Sequence, residues 1–463
     1  MILPTSLLRS LQHVQGFDEK AFVVVHASGE QVTSIRLNPS KDCQLPTSNF
    51  QLVPWSSKGC YLPARPSFTL DPFFHAGAYY VQEASSMFLE QALKQTVDLS
   101  KPLRILDLCA APGGKSTFIH SMMSEQSLLV SNEVIKSRVN VLEENIIKWG
   151  SCNVIVTNND PRDFQRIANY FDIIVVDAPC SGSGLFRKVP SAIDEWSDNN
   201  VQLCSQRQQR ILADVLPSLK AGGLLIYSTC SYSVKEDEDI CDWISGSYEQ
   251  KICSLRLAIE ATWGIVETQS DNPKAWCYRF YPDKVKGEGF FLAAFLKKPE
   301  VDSEQLVRIN KKVGKNTRKV PGLTANDIEI LNHYLEVPGD FFFIKQNEDV
   351  LAIPMHLKDE LTTIQSVLYI RKAGVKMGKI LRGELIPDHE LALSTAISHA
   401  VKRIDIDKAT ALQYLRREEI HVNSSETGWF LLTYSFIPLG WIKILHNRVN
   451  NYYPKEWRIM NKK

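Results

Sequence analysis

Short apolar runs alternating with amphipathic stretches begin after Pro102, and this alternation leaves few folds open to the chain. Predicted strands at 104–108, 128–132, 153–158, 172–177 and 223–228 are separated by helical patterns that include 116–123, 136–149 and 199–219. Strand–helix alternation of this kind builds a parallel sheet covered by helices on both faces, an α/β architecture. The run GEGFFLAAFLKK at 287–298 reads as a late strand that closes the sheet. In such a sheet, ligands bind beyond the carboxyl ends of the strands, so the residues that follow each strand carry the functional argument.

The chain has 463 residues, too many for a single core, and two to four domains are expected. The first hundred read as a small α+β unit: an opening helix, strands at 21–26 and 32–37, a loop with Pro54, Pro63, Pro66 and Pro72, and a helix near 82–94. The sheet domain spans 101–298. Residues 299–385 form a basic linker and a mixed α+β segment, with six Lys/Arg and no acidic residue between 305 and 320. From 386 to 463, two helical stretches precede the strand-like runs TGWFLLTYSF and LGWIKILHN. Lys and Arg total 53 against 52 Asp and Glu, which names no partner, but residues 371–463 hold 16 basic and 9 acidic side chains. That local skew suits a surface facing nucleic acid. Ten cysteines occur without a single CxxC pair, which argues against a zinc ribbon, and no metal site is expected. Scattered thiols suit a reducing cytosol. MILPTSLLRSLQ reads as an amphipathic helix rather than a leader, and no apolar run approaches the roughly 20 residues of a membrane span. A cytoplasmic monomer with no membrane partner is the expectation.

The first strand of the sheet runs into Asp107-Leu-Cys109-Ala110-Ala111-Pro112-Gly113-Gly114-Lys115-Ser-Thr. Two glycines admit a ligand close to the backbone, and the following helix offers unpaired N–H groups. Glu133 follows the second strand, Asp160 the third and Asp177 the fourth. A carboxylate after the second strand suits a ribose diol, and Asp160 suits an adenine amino group. A lone acid at a strand end is usually a helix cap; three at successive ends beside a glycine turn point instead to an adenosine ligand without phosphates. Gly114-Lys115-Ser116-Thr117 also resembles the end of a phosphate-binding loop, but Cys109 stands where that loop needs glycine and Pro112 removes an N–H. A nucleotide hydrolase is therefore the remote alternative. Cys180 follows the fourth strand in Asp177-Ala-Pro-Cys180-Ser-Gly-Ser-Gly184, and Cys230 follows the fifth in Tyr227-Ser-Thr-Cys230-Ser231. One cysteine is usually structural; two at neighbouring strand ends, each in a polar loop, point to thiolate chemistry. A free thiol has pKa near 8.5, so the site must favour the thiolate, through Lys115 or a helix N-terminus. The chemistry alone leaves both thiols open as nucleophile.

DLCAAPGGKST at 107–117, VVDAPCSGSGLFRK at 175–188 and YSTCSYSVKEDE at 227–238 together resemble the Nol/Nop/Sun RNA cytosine-5 methyltransferases, and HAGAYYVQEASSM at 75–87 extends the likeness upstream. The resemblance implies a Rossmann-like class I methyltransferase domain with a mostly parallel seven-stranded sheet, a small N-terminal domain and a C-terminal PUA-like RNA-binding domain. It implies that Cys109 to Lys115, Glu133, Asp160 and Asp177 bind S-adenosylmethionine, leaving S-adenosylhomocysteine as product. It implies that Cys230 attacks the base and that Cys180 assists product release. RNA is the implied partner, small-subunit ribosomal RNA or the assembled subunit foremost. A transfer-RNA substrate and an inactive, RNA-binding ribosome-assembly factor are the alternatives. Trp429, Trp441, Tyr452, Tyr453 and Trp457, interleaved with Lys443, Arg448, Lys455 and Arg458, are candidate RNA-stacking residues, half of them expected in the core. Phe186-Arg187-Lys188 is a candidate contact to the target strand, whose cytosine must be unpaired or flipped out.

Overall fold

The computed structural model describes residues 2–41, 50–248, 251–272, 274–299 and 322–460. Its centre is a sheet of ten strands: β1 (Arg104–Asp107), β2 (Leu128–Asn132), β3 (Val154–Thr157), β4 (Phe171–Asp177), β5 (Leu219–Thr229), β6 (Ile252–Leu255), β7 (Val266–Gln269), β8 (Trp276–Phe280), β9 (Phe290–Lys297) and β10 (Ile370–Lys372). The order is β7-β8-β9-β5-β4-β1-β2-β3-β10, with β6 paired to β9. β3, β2, β1, β4 and β5 run parallel, and β9 returns antiparallel beside β5. The seven expected strands are the stretch from β3 to β8; β6, β7 and β10 are additions. In the middle of the sheet Ile173, Ile174, Val175 and Val176 are all fully buried, because both faces are covered and alternate residues have no wet side to face. Helices α1 (Gly114–His120), α2 (Lys136–Trp149) and α3 (Asp198–Val215) connect the parallel strands.

β10 comes from the segment after residue 299, whose contribution the amino-acid pattern does not disclose. It pairs antiparallel with β3 and caps that edge. Asn159 fastens the junction: its amide donates to the Tyr369 carbonyl (3.0 Å) and its Oδ1 accepts from the Tyr369 N–H (2.9 Å). The C-terminal part therefore shares a sheet with the parallel core. Beyond it lie two four-stranded sheets, one of Phe341–Gln346, Asp349–Pro354, Val375–Leu381 and Glu384–Pro387, the other of Arg403–Ile406, Gly428–Tyr434, Ile437–Leu445 and Arg448–Asn451. The basic stretch 305–320 lies outside the described residues.

One expectation fails in the N-terminal unit. Residues 21–26, read as a strand from their Val-rich run, belong to a helix, Glu19–Ala27. Asp18 caps it by accepting from the Ala21 N–H (3.1 Å), and Phe22 and His26, one turn apart, form its buried face. Three β-branched residues suggested a strand, but the cap and the i,i+4 apolar pair decided the outcome. From the small sheet of this unit, Arg36 is fully buried; it donates to Gln82 Oε1 (2.8 Å), Ser121 Oγ (3.0 Å) and Thr117 Oγ1 (2.7 Å). It thereby ties the N-terminal unit to α1, the helix after the glycine turn. No helix among the described residues is long and apolar enough to cross a membrane.

Two histidines sit at the seam between the N-terminal and C-terminal parts. Burial lowers His75 to about 4 and His389 to about 3. The His389 ring faces Tyr453 and Trp457 at centroid distances of 5.1 and 5.2 Å, and neither of its nitrogens has a hydrogen-bond partner among the described residues. A histidine neutral in the folded state and protonated in the unfolded one costs stability as pH falls from about 6.5 towards the folded value, by up to about 1.4 kcal/mol per unit. His389→Phe should therefore lose less stability than the parent between pH 6.5 and 4, measured by thermal unfolding across that range.

Candidate active site

The carboxyl ends of β1, β2, β4 and β5 bring the expected residues to one rim of the sheet. Gly113 takes φ 111° as the residue before α1, a left-handed conformation that glycine adopts without strain. Cys109, Ala110, Ala111, Pro112, Gly114, Lys115 and Asp177 line a cavity of about 180 Å³, closed on the other side by Tyr80, Gln82, Glu83 and Ser86. The upstream motif at 75–87 thus forms the opposite wall of the same cavity. Glu133 is 2% exposed; its Oε1 accepts from the Ile135 N–H (2.9 Å), while Oε2 has no hydrogen-bond donor and only Arg138 nearby, at 3.4 Å. Asp160 caps the short helix after β3, accepting from the Arg162 N–H (3.2 Å), and its side chain stays partly open to solvent. A glycine turn and a buried carboxylate oxygen lacking a donor suit a hydroxyl-bearing, uncharged sugar. Lys115 is committed to Asp177 (2.7 Å). That pairing does not leave the lysine as a free phosphate ligand.

Cys180 and Cys230 meet. Their sulfur atoms are 3.1 Å apart, at the ends of the adjacent parallel strands β4 and β5. Hydrogen bonding to Cys230 and burial push the Cys180 thiol well up. Burial and the nearby Asp107 push the Cys109 thiol up as well.

A side chain that the motif reading passed over joins the two thiol loops. Glu236 accepts from the Ser181 N–H (2.6 Å), Ser181 Oγ (2.5 Å) and Ser231 Oγ (2.6 Å), so one carboxylate grips the residue after each cysteine. Burial pushes its carboxyl up, opposed by these donors. The loops also touch through backbone: the Gly184 N–H donates to the Cys230 carbonyl (2.8 Å), and a Cβ at Gly184 would stand 2.7 Å from that oxygen. The run KEDE at 235–238 reads as a solvated charge cluster, yet Glu236 and Asp237 are fully buried and Glu238 nearly so. Arg279, 2% exposed, pairs with Asp237 and Glu238 and donates to the Tyr232 carbonyl (2.9 Å). Six residues after Cys230 and inside the same motif, Glu236 lay in plain view; only its burial reveals its task.

Two expected nucleic-acid contacts fall away. Phe186 is fully buried, and Arg187 is 7% exposed with its guanidinium bound to the carbonyls of Gly287 and Glu30, leaving Lys188 alone exposed. Among the C-terminal aromatics, Trp441 and Tyr453 are fully buried, Trp429 is 9% exposed, Trp457 is half-buried and only Tyr452 is exposed.

Residues 94–296 match the sequence model described as 16S rRNA methyltransferase RsmB/F; 3–84 match the N-terminal domain of 16S rRNA methyltransferase RsmF, and 401–459 the RsmF PUA domain. The chain belongs to this RsmB/F family. It is thereby an S-adenosylmethionine-dependent RNA methyltransferase. Relatives of the RsmB/F family named ribosomal RNA small subunit methyltransferase F include those of Shewanella loihica, 28% identical over 88% of this chain and 83% of that one, and Shewanella woodyi, 29% identical over 87% and 84%. A methyltransferase homologue from Pyrococcus horikoshii superposes with TM-score 0.51 at 26% identity, over 64% of this chain and all of that one. NSun6 from the same organism, solved with SFG, shares the fold at TM-score 0.52 and 18% identity, over 64% of this chain and 99% of that one.

Glu236→Gln replaces one acceptor oxygen with a donor facing Ser181 or Ser231. Methyl transfer to RNA should fall by roughly 10- to 100-fold, as expected when catalytic groups are displaced by about an ångström. Glu236→Asp should recover less than full rate because the shorter side chain cannot reach both loops. Single-turnover kinetics of the two variants check this.

Proposed function

We propose that this chain methylates carbon 5 of a cytosine in small-subunit ribosomal RNA, with Cys230 as the attacking thiol and Cys180 assisting release. The 3.1 Å approach of the two sulfurs at the open end of the sheet is the observation that supports it most. The family's relatives named for the small ribosomal subunit support the choice of RNA. Cys109 to Lys115, Glu133, Asp160 and Asp177 would hold S-adenosylmethionine. When bound, that cofactor supplies an electrophilic methyl group.

The protein's own groups do the rest. Carbon 5 of cytosine is too weak a nucleophile until a thiolate adds at carbon 6. Cys230 forms that S–C6 bond, and the ring becomes an enamine with electron density at carbon 5. Cys180 Sγ lies 3.1 Å from the attacking sulfur, on the neighbouring loop. After carbon 5 carries its new substituent, its hydrogen must leave as a proton before the S–C6 bond can break. Cys180, once its own proton has passed to solvent, takes that one as thiolate; the C5–H electron pair re-forms the C5–C6 double bond, the S–C6 bond breaks and Cys230 departs as thiolate. Asp177, held by Lys115 and by Ser228 Oγ (2.8 Å), is the carboxylate between the cofactor loop and the thiols, placed to accept from the cytosine amino edge.

The two cysteines should separate experimentally. Cys230→Ala should reduce methyl transfer by roughly 10³-fold or more and abolish covalent capture of RNA. Cys180→Ala should accumulate a protein–RNA adduct, seen as a retarded band on a denaturing gel. The reverse pattern would exchange the roles, and bisulfite sequencing of ribosomal RNA from cells lacking the protein locates the cytosine.

A further inference from the structure

The hairpin of the last sheet, Gly428–Tyr434 and Ile437–Leu445, turns at Ser435 and Phe436, both in the left-handed region with φ 48° and 64°. Two-residue turns with both φ positive favour Asn-Gly, and a bulky aromatic there is costly. Asp405 offsets the cost: its Oδ1 accepts from the Phe436 N–H (2.8 Å) and from Thr433 Oγ1 (2.7 Å). The backbone is held while the ring is given to solvent. At 82% exposure, Phe436 is the most exposed aromatic among the described residues.

The ring borders a cleft of about 660 Å³ whose ionisable lining is Lys41, His399, Arg403 and Asp405. Asp405 is the only carboxylate among the described residues that line it, and it is occupied by the hairpin. Lys41 Nζ is spent on the carbonyls of Lys148 (2.6 Å) and Ala76, and His399 pairs with Glu336 (3.1 Å). Arg403 donates one N–H to the Ser398 carbonyl (3.0 Å), while its Nε is buried with no hydrogen-bond partner. An exposed flat ring beside a cleft that sets Arg403 and the hydroxyls of Ser40, Ser394 and Thr395 next to apolar Leu393 and Ile397 suits a base with its phosphate. The location is also defined. Thr395 in the cleft wall donates to the Gly150 carbonyl (3.1 Å) at the carboxyl end of α2, whose other end begins three residues after Glu133. A helix of 14 residues spans roughly 21 Å.

We propose that this cleft holds one unpaired nucleotide of the substrate RNA, about a helix length from the strand end that carries Glu133, with the base stacked on Phe436 and the phosphate facing Arg403. It rests on the RNA-methylation reading and gives that reading a second anchoring point. Stacking on one aromatic side chain carries enough energy for Phe436→Ala to weaken RNA affinity by roughly tenfold. Phe436→Trp should restore it. Arg403→Gln should weaken binding and flatten its salt dependence. The test uses the full chain, transcribed unmodified small-subunit ribosomal RNA carrying 4-thiouridine, titrations at two salt concentrations, and mapping of the photo-crosslink. A crosslink within 428–445 together with loss in the alanine variant and rescue by tryptophan is the expected result. Unchanged affinity in Phe436→Ala overturns the proposal, as does an equal loss in Phe436→Trp. Methyl transfer by the unaltered chain is scored separately: if it occurs while Phe436→Ala binds normally, the cleft fails and the methylation reading stands.

Discussion

A carboxylate buried between two loops sets the spacing on which the chemistry depends. A thiol pair useful to one pyrimidine ring must sit within a few ångströms, yet Cys180 and Cys230 arrive on different strand ends, fifty residues apart. Parallel pairing of β4 with β5 fixes the strands to about the spacing of neighbouring chains, but the loops beyond them are not in the ladder. Glu236 supplies what the ladder omits, since its two oxygens take donors from both loops at once. The glycine at 184 completes the approach because any Cβ there would meet the Cys230 carbonyl.

The same network explains a polar cluster that would otherwise destabilise the core. Burying an ionised carboxylate is costly unless donors or a counter-charge meet it. Glu236 has three donors, and Arg279 serves Asp237 and Glu238 together. Removing one member of such a set leaves the others uncompensated, so the motif that carries Cys230 is a folding element as much as a chemical one. That dual use is why the KEDE run is acidic although it lies inside the protein.

The parallel sheet was legible because a strand buried on both faces must be apolar along its length, and the segments at 128–132 and 172–177 show it. The strand ends were legible because glycine, carboxylate and cysteine at those positions have few bland explanations in combination. Three things were hidden. The Val-rich run at 23–25 carries no marker of its own conformation; the decision lay in Asp18 and in where Phe22 packs. The edge strand β10 is three residues long and is held by Asn159, whose partner Tyr369 is 210 residues away in the chain. Phe186 and Arg187 looked like surface groups because their motif is polar; the packing of Phe186 with Leu7, Leu11 and Phe22, and the hold of Glu30 and Gly287 on Arg187, are tertiary facts.

The placement of β10 also decides how the C-terminal sheets relate to the chemistry. Asn158 and Asn159 follow β3 and lead directly to Asp160, and both bond to Tyr369: the Asn158 N–H donates to its carbonyl (3.2 Å), and Asn159 holds its N–H and carbonyl. Two residues therefore separate the segment that carries β10 from the carboxylate expected at the adenine. Asn132 continues the link, donating to the Asn159 carbonyl (3.0 Å) and to that of Leu108 (3.2 Å), beside the glycine turn. A tethered domain would leave the rim of the sheet to the parallel core alone. A domain that contributes a strand to the core sheet fixes that rim through its backbone, so residues far from the thiols help set its shape.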